Sequence, residues 1–251
     1  MKIIPLSEGV FTIDKTKVFI PFGAADNDND LQKIPAGSLL VEVQPFVVIT
    51  SKDILLLDTG LGFTVDGKLQ IYKNMEENGV DPAAVTKVLL THLHKDHAGG
   101  VSVKDTLGHY SLAFPNATYY LPKDELDYAF EKGFPSYISQ EFDILSNNNK
   151  VILLEENGSI DDYITYTLVG GHSPFHYAYW VKEDDEIIFF GGDVAPQLQQ
   201  MKSRLVAKYD YDGKKSMELR QRWWQQGIEE GWTFLFYHDV KMPFYSAKAT
   251  S

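Results

Sequence analysis

Short runs dense in β-branched and aromatic residues, each closed by turn residues, recur along most of the chain, the pattern of strands lying on a packed surface. It predicts strands at 9–13, 17–20, 39–50, 53–58, 87–91, 117–121, 151–154, 163–169, 175–182, 186–190 and 233–237. Asp184 and Asp185, between two of these runs, predict a tight hairpin. Helical patterning is sparser: 68–79 closing at Gly79, 123–131 closing near Gly133, 136–146, and 214–230 closing at Gly231, with Gly where a helix C-terminus turns left-handed. In the last of these, Met217, Leu219, Trp223, Trp224 and Ile228 follow the helical period only loosely, and the Trp pair reads as core or lid packing rather than a cofactor platform. Strands dominate early, helices interleave later and no low-complexity linker intervenes, so residues 1–251 read as one α/β domain of packed layers. Two stretches, 21–37 and 104–150, read as surface excursions, the second a helical insertion. Long excursions either frame a site or stay disordered.

The 251 residues are 44% hydrophobic and 23% charged, a globular balance, and folding at this length removes roughly 70–75% of the surface that the unfolded chain exposes. The formal net charge is −12, and Arg204, Arg220 and Arg222 are the only arginines. A long-range negative field without an arginine cluster opposes a nucleic-acid partner. No apolar stretch approaches the ~18 residues of a membrane span, and the N-terminal residues hold no signal-peptide run. The expectation is a soluble, cytoplasmic protein acting on a small molecule, without a membrane partner. The absence of cysteine excludes disulfides, thiolate zinc sites, iron–sulfur clusters and a cysteine nucleophile together. Any metal is then held by His and carboxylates.

Three of the seven histidines, His92, His94 and His97, fall in the run Thr91-His-Leu-His-Lys-Asp-His-Ala-Gly-Gly100. Lys87–Thr91 ahead of it reads as a buried strand, and alternation beyond it turns His92 and His94 to the same side. Asp96 and His97 follow the turn, and Ala98-Gly-Gly reads as a loop passing into a helix. Burying several imidazoles and a carboxylate is costly unless they bind something. His being the commonest metal ligand, the run reads as a metal site rather than a solvated turn.

This run resembles the metal-binding motif of the metallo-β-lactamase superfamily, and further landmarks follow in the family's order. Ile54-Leu-Leu-Leu-Asp-Thr-Gly60 is similar to its strand ending in Asp-Thr-Gly, Val169-Gly-Gly-His-Ser-Pro174 to its second His loop, Phe190-Gly-Gly-Asp193 to its bridging Asp, and Tyr237-His-Asp239 to its final His. The resemblance implies a four-layer αββα sandwich of two mixed β-sheets flanked by helices. It also implies that His92, His94 and His172 hold one divalent metal, that Asp96, His97 and His238 hold a second, and that Asp193 bridges them. Zinc is expected, with manganese or iron as alternatives. Asp58 would support the ligand loop through hydrogen bonds, His176 would be outer or structural, and His109, alone in the 104–150 stretch, reads as a surface or core residue.

A metal-bound water near neutral pKa supplies a nucleophile without a thiol. The expected chemistry is therefore hydrolysis of an ester, lactone or related carbonyl or phosphoryl substrate by a metal-bridging hydroxide, with Asp96 or Asp193 as the catalytic carboxylates that orient it or relay a proton. With two dications the site carries a formal charge of about +1, opposite in sign to the chain. The motifs, with Phe114-Pro-Asn-Ala117, resemble the branch of lactonases and organophosphate hydrolases. One departure stands out: lactonases of this family carry a Tyr shortly after the bridging Asp, and Val194-Ala-Pro-Gln-Leu198 supplies none. A mononuclear iron persulfide dioxygenase and a non-catalytic metal-binding or sensor protein are the alternatives on the same scaffold. Phe19, Phe22, Tyr110, Phe114, Phe134 and Tyr137 are candidates for substrate walls, or for a homodimer interface.

Overall fold

The computed structural model describes residues 1–23 and 33–247. Of the 21–37 excursion, residues 24–32 therefore lie outside the described residues. Side chains alternate along each strand, and in this chain both faces are apolar. In the strand Ile54–Leu57, Leu56 joins one core while Leu55 and Leu57 join another. Val47 and Val48 divide the same way, as do Val88 and Leu89, and Tyr119 and Tyr120. Covering of both faces makes these strands continuous apolar runs instead of an apolar–polar alternation.

Two six-stranded mixed sheets result. The N-terminal sheet runs Lys2–Pro5, Phe46–Ile49, Ile54–Leu57, Lys87–Leu89, Thr118–Pro122, Val151–Leu154; its first two pairings are antiparallel and its last three parallel. The C-terminal sheet runs Gly158–Ile160, Ile164–Leu168, Tyr177–Glu183, Glu186–Phe190, Thr233–Leu235, Phe244–Ser246, antiparallel except where Glu186–Phe190 meets Thr233–Leu235. Between the sheets lie Phe46, Leu57, Tyr179, Phe190 and Tyr237. Ile71, Met75, Leu126 and Ala129 of the helices Gln70–Glu77 and Lys123–Lys132 cover the outer face of the N-terminal sheet. The helix Gly213–Glu230 covers the other outer face, with Trp223 against Phe189 (ring centroids 4.9 Å) and Trp224 against Phe234 (5.3 Å). Three cores thus separate four layers, αββα, and the Trp pair is core packing.

The predicted strand 39–50 breaks at Gln44-Pro45: Leu39–Val43 pairs with Gly9–Ile13 in a three-stranded sheet, and Phe46–Ile49 enters the N-terminal sheet. Pro45 has no N–H to continue a ladder. Within 104–150, Thr118–Pro122 is an interior strand of the N-terminal sheet, so that stretch is not an insertion throughout. The predicted helix 136–146 shortens to Ser139–Phe142 and a 3-10 turn at Asp143–Leu145. The Asp184-Asp185 hairpin forms, with Glu183 paired to Glu186. Among the described residues no helix is long and apolar enough to cross a membrane.

Candidate metal centre

The site is built where strands of both sheets end at one edge of the sandwich. Ile54–Leu57 delivers Asp58, fully buried at φ +54, a left-handed conformation that Asp tolerates. Its carboxylate accepts the Thr91 backbone N–H (2.7 Å), the Thr91 hydroxyl (2.8 Å) and His97 Nδ1 (2.8 Å). The neighbouring Thr59 N–H donates to the His97 carbonyl (2.7 Å) and Gly99 N–H to the Gly60 carbonyl (3.0 Å). A side chain at Gly100 would collide with the Thr59 carbonyl, so the glycine pair of the motif lets two backbones touch. The one-turn helix Lys95–Ala98, which precedes those glycines, carries Asp96 and His97.

Beyond the C-terminal sheet, His172 sits in the loop after Ile164–Leu168, Asp193 in the turn Gly192–Val194 and His238 after Thr233–Leu235. The seven residues expected as ligands come together in two groups that share Asp193: His92, His94, His172, Asp193 and Asp96, His97, Asp193, His238. Within each group the inward donor atoms lie within 4.8 Å of one another. His92 Nε2 and His172 Nε2 approach His94 Nδ1 at 2.9 and 3.0 Å. Asp193 Oδ1 is 3.1 Å from His97 Nε2 and 3.0 Å from His238 Nε2, and its Oδ2 is 3.2 Å from His172 Nε2.

The outward nitrogens are anchored. His92 Nδ1 faces the Thr91 hydroxyl (3.0 Å), His97 Nδ1 Asp58, His172 Nδ1 Asp210 (2.9 Å) and His238 Nδ1 the Glu42 carbonyl (2.6 Å). A proton held outward leaves the inward lone pair free. Because the Thr91 hydroxyl donates to Asp58, this carboxylate fixes the proton positions of both His92 and His97. Burial, then the neighbouring imidazoles, pushes His92 well below the usual imidazole range. Burial depresses His94 as well, chiefly with His172. At His97 burial acts downward too, but Asp193, Asp96 and Asp58 outweigh it and hold the imidazole well above its ordinary value. Asp193 is the mirror case: burial acts upward, yet His238, His97 and His172 hold it well below the carboxylate range.

N and O donors with buried imidazoles and two carboxylates suit a pair of divalent cations. His97 Nε2 and Asp193 Oδ1, both turned inward, are buried and, though 3.1 Å apart, make no well-aligned hydrogen bond. Bound cations would satisfy these atoms, so the residues fit the group.

The family model of the metallo-beta-lactamase superfamily matches residues 41–221, from within the strand Leu39–Val43 past His172 and Asp193. This chain belongs to the metallo-beta-lactamase superfamily. Within the superfamily it is 30% identical over 115 residues to the N-acyl homoserine lactonase AttM of Azorhizobium caulinodans and 31% identical to that of Agrobacterium fabrum. Each match takes in 41% of this chain and 38% of the relative, so the chain spans under two fifths of the length of the curated relatives it matches. Among solved structures, a protein described as a probable metal-dependent hydrolase from Staphylococcus aureus superposes with a TM-score of 0.77 at 23% identity, covering 98% of this chain and 91% of that one. AidC, described as a dizinc quorum-quenching lactonase, superposes at 0.70 with 20% identity, over 96% and 88% of the two chains. Both likenesses are of the metallo-beta-lactamase fold.

On that fold several residues without a motif complete the centre. Glu125, fully buried on Lys123–Lys132, accepts the Leu93 N–H (3.3 Å), the Tyr137 hydroxyl (3.0 Å) and the Ser173 hydroxyl (2.9 Å). It ties the His92–His94 loop to the His172 loop, and burial pushes its carboxyl up to about 7. His176 accepts the Asp193 N–H through Nε2 (3.2 Å), and a side chain at Gly192 would come within 2.8 Å of that nitrogen. It positions the shared carboxylate from outside. His109 is exposed and faces Asp105.

A cavity of about 820 Å³ opens over His94, Asp96, His172, Asp193 and His238. Phe19, Leu39, Leu40, Leu205 and Val206 wall it. A smaller cavity of about 320 Å³ shares Lys17, His94, Ser136, His172 and Tyr209 with it and is walled by Phe134 and Tyr137. Of the other aromatic candidates, Phe114 is buried against Tyr72, while Phe22 and Tyr110 line neither cavity. Tyr209 lines both, and its hydroxyl accepts from Gln200 Nε2 (3.2 Å).

Proposed function

We propose that this protein is a binuclear metal-dependent hydrolase of esters or lactones, with His92, His94 and His172 holding one cation, Asp96, His97 and His238 the other, and Asp193 shared. The observation that carries this reading is the pair of His/Asp groups joined through one carboxylate at the floor of a cavity with an apolar wall. The lactonase names of the curated relatives support the substrate class. Bound dications, zinc in this reading, would supply an acidic water and polarise a substrate oxygen. The chain's residues do the rest. Asp96, which lines the cavity, takes a proton from the attacking water and returns it to the leaving group. Asp193 is held by His176 and orients the nucleophile. Tyr209 takes the place of the missing Tyr after Asp193: its hydroxyl receives a hydrogen bond from Gln200, leaving its own proton for the developing oxyanion. Burial pushes that hydroxyl up to about 12, so it stays protonated at neutral pH.

Metal analysis of the purified protein together with a panel of lactones, aryl esters, phosphotriesters and thioesters tests the reading. Two zinc or manganese ions per chain are expected, with hydrolysis abolished by chelation and by Asp193→Ala, and kcat lowered about 100-fold by Tyr209→Phe. Full activity in Asp193→Ala refutes the mechanism. One iron per chain with oxygen-dependent turnover of a persulfide refutes the hydrolase reading, and no metal refutes both.

A further inference from the structure

The large cavity of this acidic chain, net charge −12, is lined by four lysines, Lys15, Lys17, Lys95 and Lys208. Among the described residues its one carboxylate outside the metal centre is Asp14, which is engaged by the Thr16 N–H (2.8 Å) and the Thr16 hydroxyl (2.5 Å). Elsewhere lysines find acids: Lys87 pairs with Asp53 and Asp161, and Lys123 with Glu155. None of the four cavity lysines makes an ion pair among the described residues. Two of them are fixed by the fold. Lys17 closes a turn by donating its backbone N–H to the Asp14 carbonyl (3.0 Å), and its side chain lines both cavities. Lys95 lies between His94 and Asp96, its backbone N–H bonded to the Ser136 carbonyl (2.9 Å). Its ammonium sits 5.7 Å from the Phe19 ring and 6.0 Å from the Phe134 ring, one ring in the wall of each cavity.

Ammonium groups outside any ion pair among the described residues, Lys95 feeling Asp96 and Glu141 only at longer range, converge beside a centre built for dications and concentrate positive potential where the rest of the chain is negative. Such a cleft draws in anions and holds those that reach both charges. The apolar wall opposite, Leu39, Leu205 and Val206, takes hydrocarbon. We propose that the substrate is an amphiphile, an ester or lactone that carries an anionic group, carboxylate or phosphate, read by Lys17 and Lys95, with an apolar chain laid along the opposite wall. This deepens the hydrolase reading and rests on it for the scissile bond, but not for the anion.

Two matched probe pairs separate the parts. The first is 1-anilinonaphthalene-8-sulfonate against N-phenyl-1-naphthylamine, the same rings without the charge, followed by fluorescence on the metal-loaded protein. The anionic dye is expected to bind about three- to tenfold more tightly at low salt, with the preference lost in Lys17→Glu and in Lys95→Glu and reduced in the milder Lys17→Gln. A preference that persists in both charge reversals assigns the anion to the metals and overturns the proposal, as does equal binding of the two dyes by the wild-type protein. The second pair is mono-4-nitrophenyl adipate against 4-nitrophenyl hexanoate. A KM lower for the adipate by a similar factor, with the ratio falling as salt rises, supports the proposal; equal KM values overturn it. Anion-selective dye binding with neither ester hydrolysed removes the ester from the proposal and refutes the hydrolase reading alone.

Discussion

Asp58→Asn changes one buried atom and tests the proton arrangement of the whole centre. Asp58 is inaccessible to solvent and accepts from Thr91 N, Thr91 Oγ1 and His97 Nδ1 at 2.7–2.8 Å. An asparagine of the same shape keeps the oxygen that faces the Thr91 N–H, but turns an NH₂ toward the Thr91 hydroxyl and His97 Nδ1. His97 Nδ1 must then accept, so its proton moves to Nε2, the atom 3.1 Å from Asp193 that a metal needs. The Thr91 hydroxyl, no longer donating to a carboxylate, turns its proton toward His92 Nδ1 at 3.0 Å, which drives the His92 proton inward as well. Loss of such an outer partner costs about 10- to 100-fold in metal affinity, or about 1.4–2.7 kcal/mol. Here the loss falls on both metal positions, larger at His97. Asp210→Asn, whose one side-chain hydrogen bond among the described residues is to His172, weakens one position. Competition with a chromophoric chelator measures both steps, and nitrogen-15 spectra of the imidazoles report the tautomers. If Asp58→Asn binds two metals with wild-type affinity and unchanged tautomers, the proton relay is wrong.

Three further outcomes follow from other buried groups. Glu125→Ala strands the Leu93 N–H and the Tyr137 and Ser173 hydroxyls; urea titration should show a loss of about 2–4 kcal/mol, and chelator competition about tenfold weaker metal binding. Arg220, fully buried, donates to the Val194 carbonyl (3.0 Å) and the Leu205 carbonyl (2.6 Å), clamping the turn of Asp193 to the cavity wall. Arg220→Met should cost about 3–5 kcal/mol in the same titration, and a change under 1 kcal/mol would sink the clamp. Glu8 accepts the Leu61 N–H (2.6 Å), yet burial, aided by the charge of Asp96, raises its carboxyl from 4.5 to about 8. The folded chain then holds a proton that the unfolded chain releases near 4.5, so this contribution to stability is full below that pH and is lost as pH rises toward 8. It amounts to up to about 5 kcal/mol; Glu8→Gln should flatten the stability profile between pH 5 and pH 8.

The sequence reveals what local spacing carries. The His92–His97 run lies on one loop and its one-turn helix, so its pattern is visible in a few letters, and Asp58, His172, Asp193 and His238 each stand at a strand end beside Gly or an aromatic run. Strands buried on both faces stand out as apolar runs. Three of the four edge strands of the two large sheets do not: Lys2–Pro5, Gly158–Ile160 and Phe244–Ser246 are short and partly exposed, so propensity has little to act on, whereas the apolar run Val151–Leu154 at the fourth edge is visible. The break at Pro45 was readable from the missing N–H. Glu125, Asp210 and Arg220 leave no trace, because each acts on a loop distant in sequence and each looks like an ordinary charged residue. Tyr209 hides for a similar reason: it enters the cavity from 16 residues beyond Asp193 rather than from the adjacent turn.

The division of ligands between the two sheets bears on how the molecule holds together. His92, His94, Asp96 and His97 follow a strand of the N-terminal sheet, while His172, Asp193 and His238 follow strands of the C-terminal one. Neither His/Asp group can be completed by one sheet alone, so a cation bound as proposed would be a rivet across the sandwich, held by the docked state and hardly at all by the separated halves. Ligand that binds only the docked state stabilises it by about 4 kcal/mol at a thousand times its Kd. On the proposed reading, metal supply would then set the stability of the fold as well as its chemistry, and a chain starved of metal should open first along the seam between the sheets.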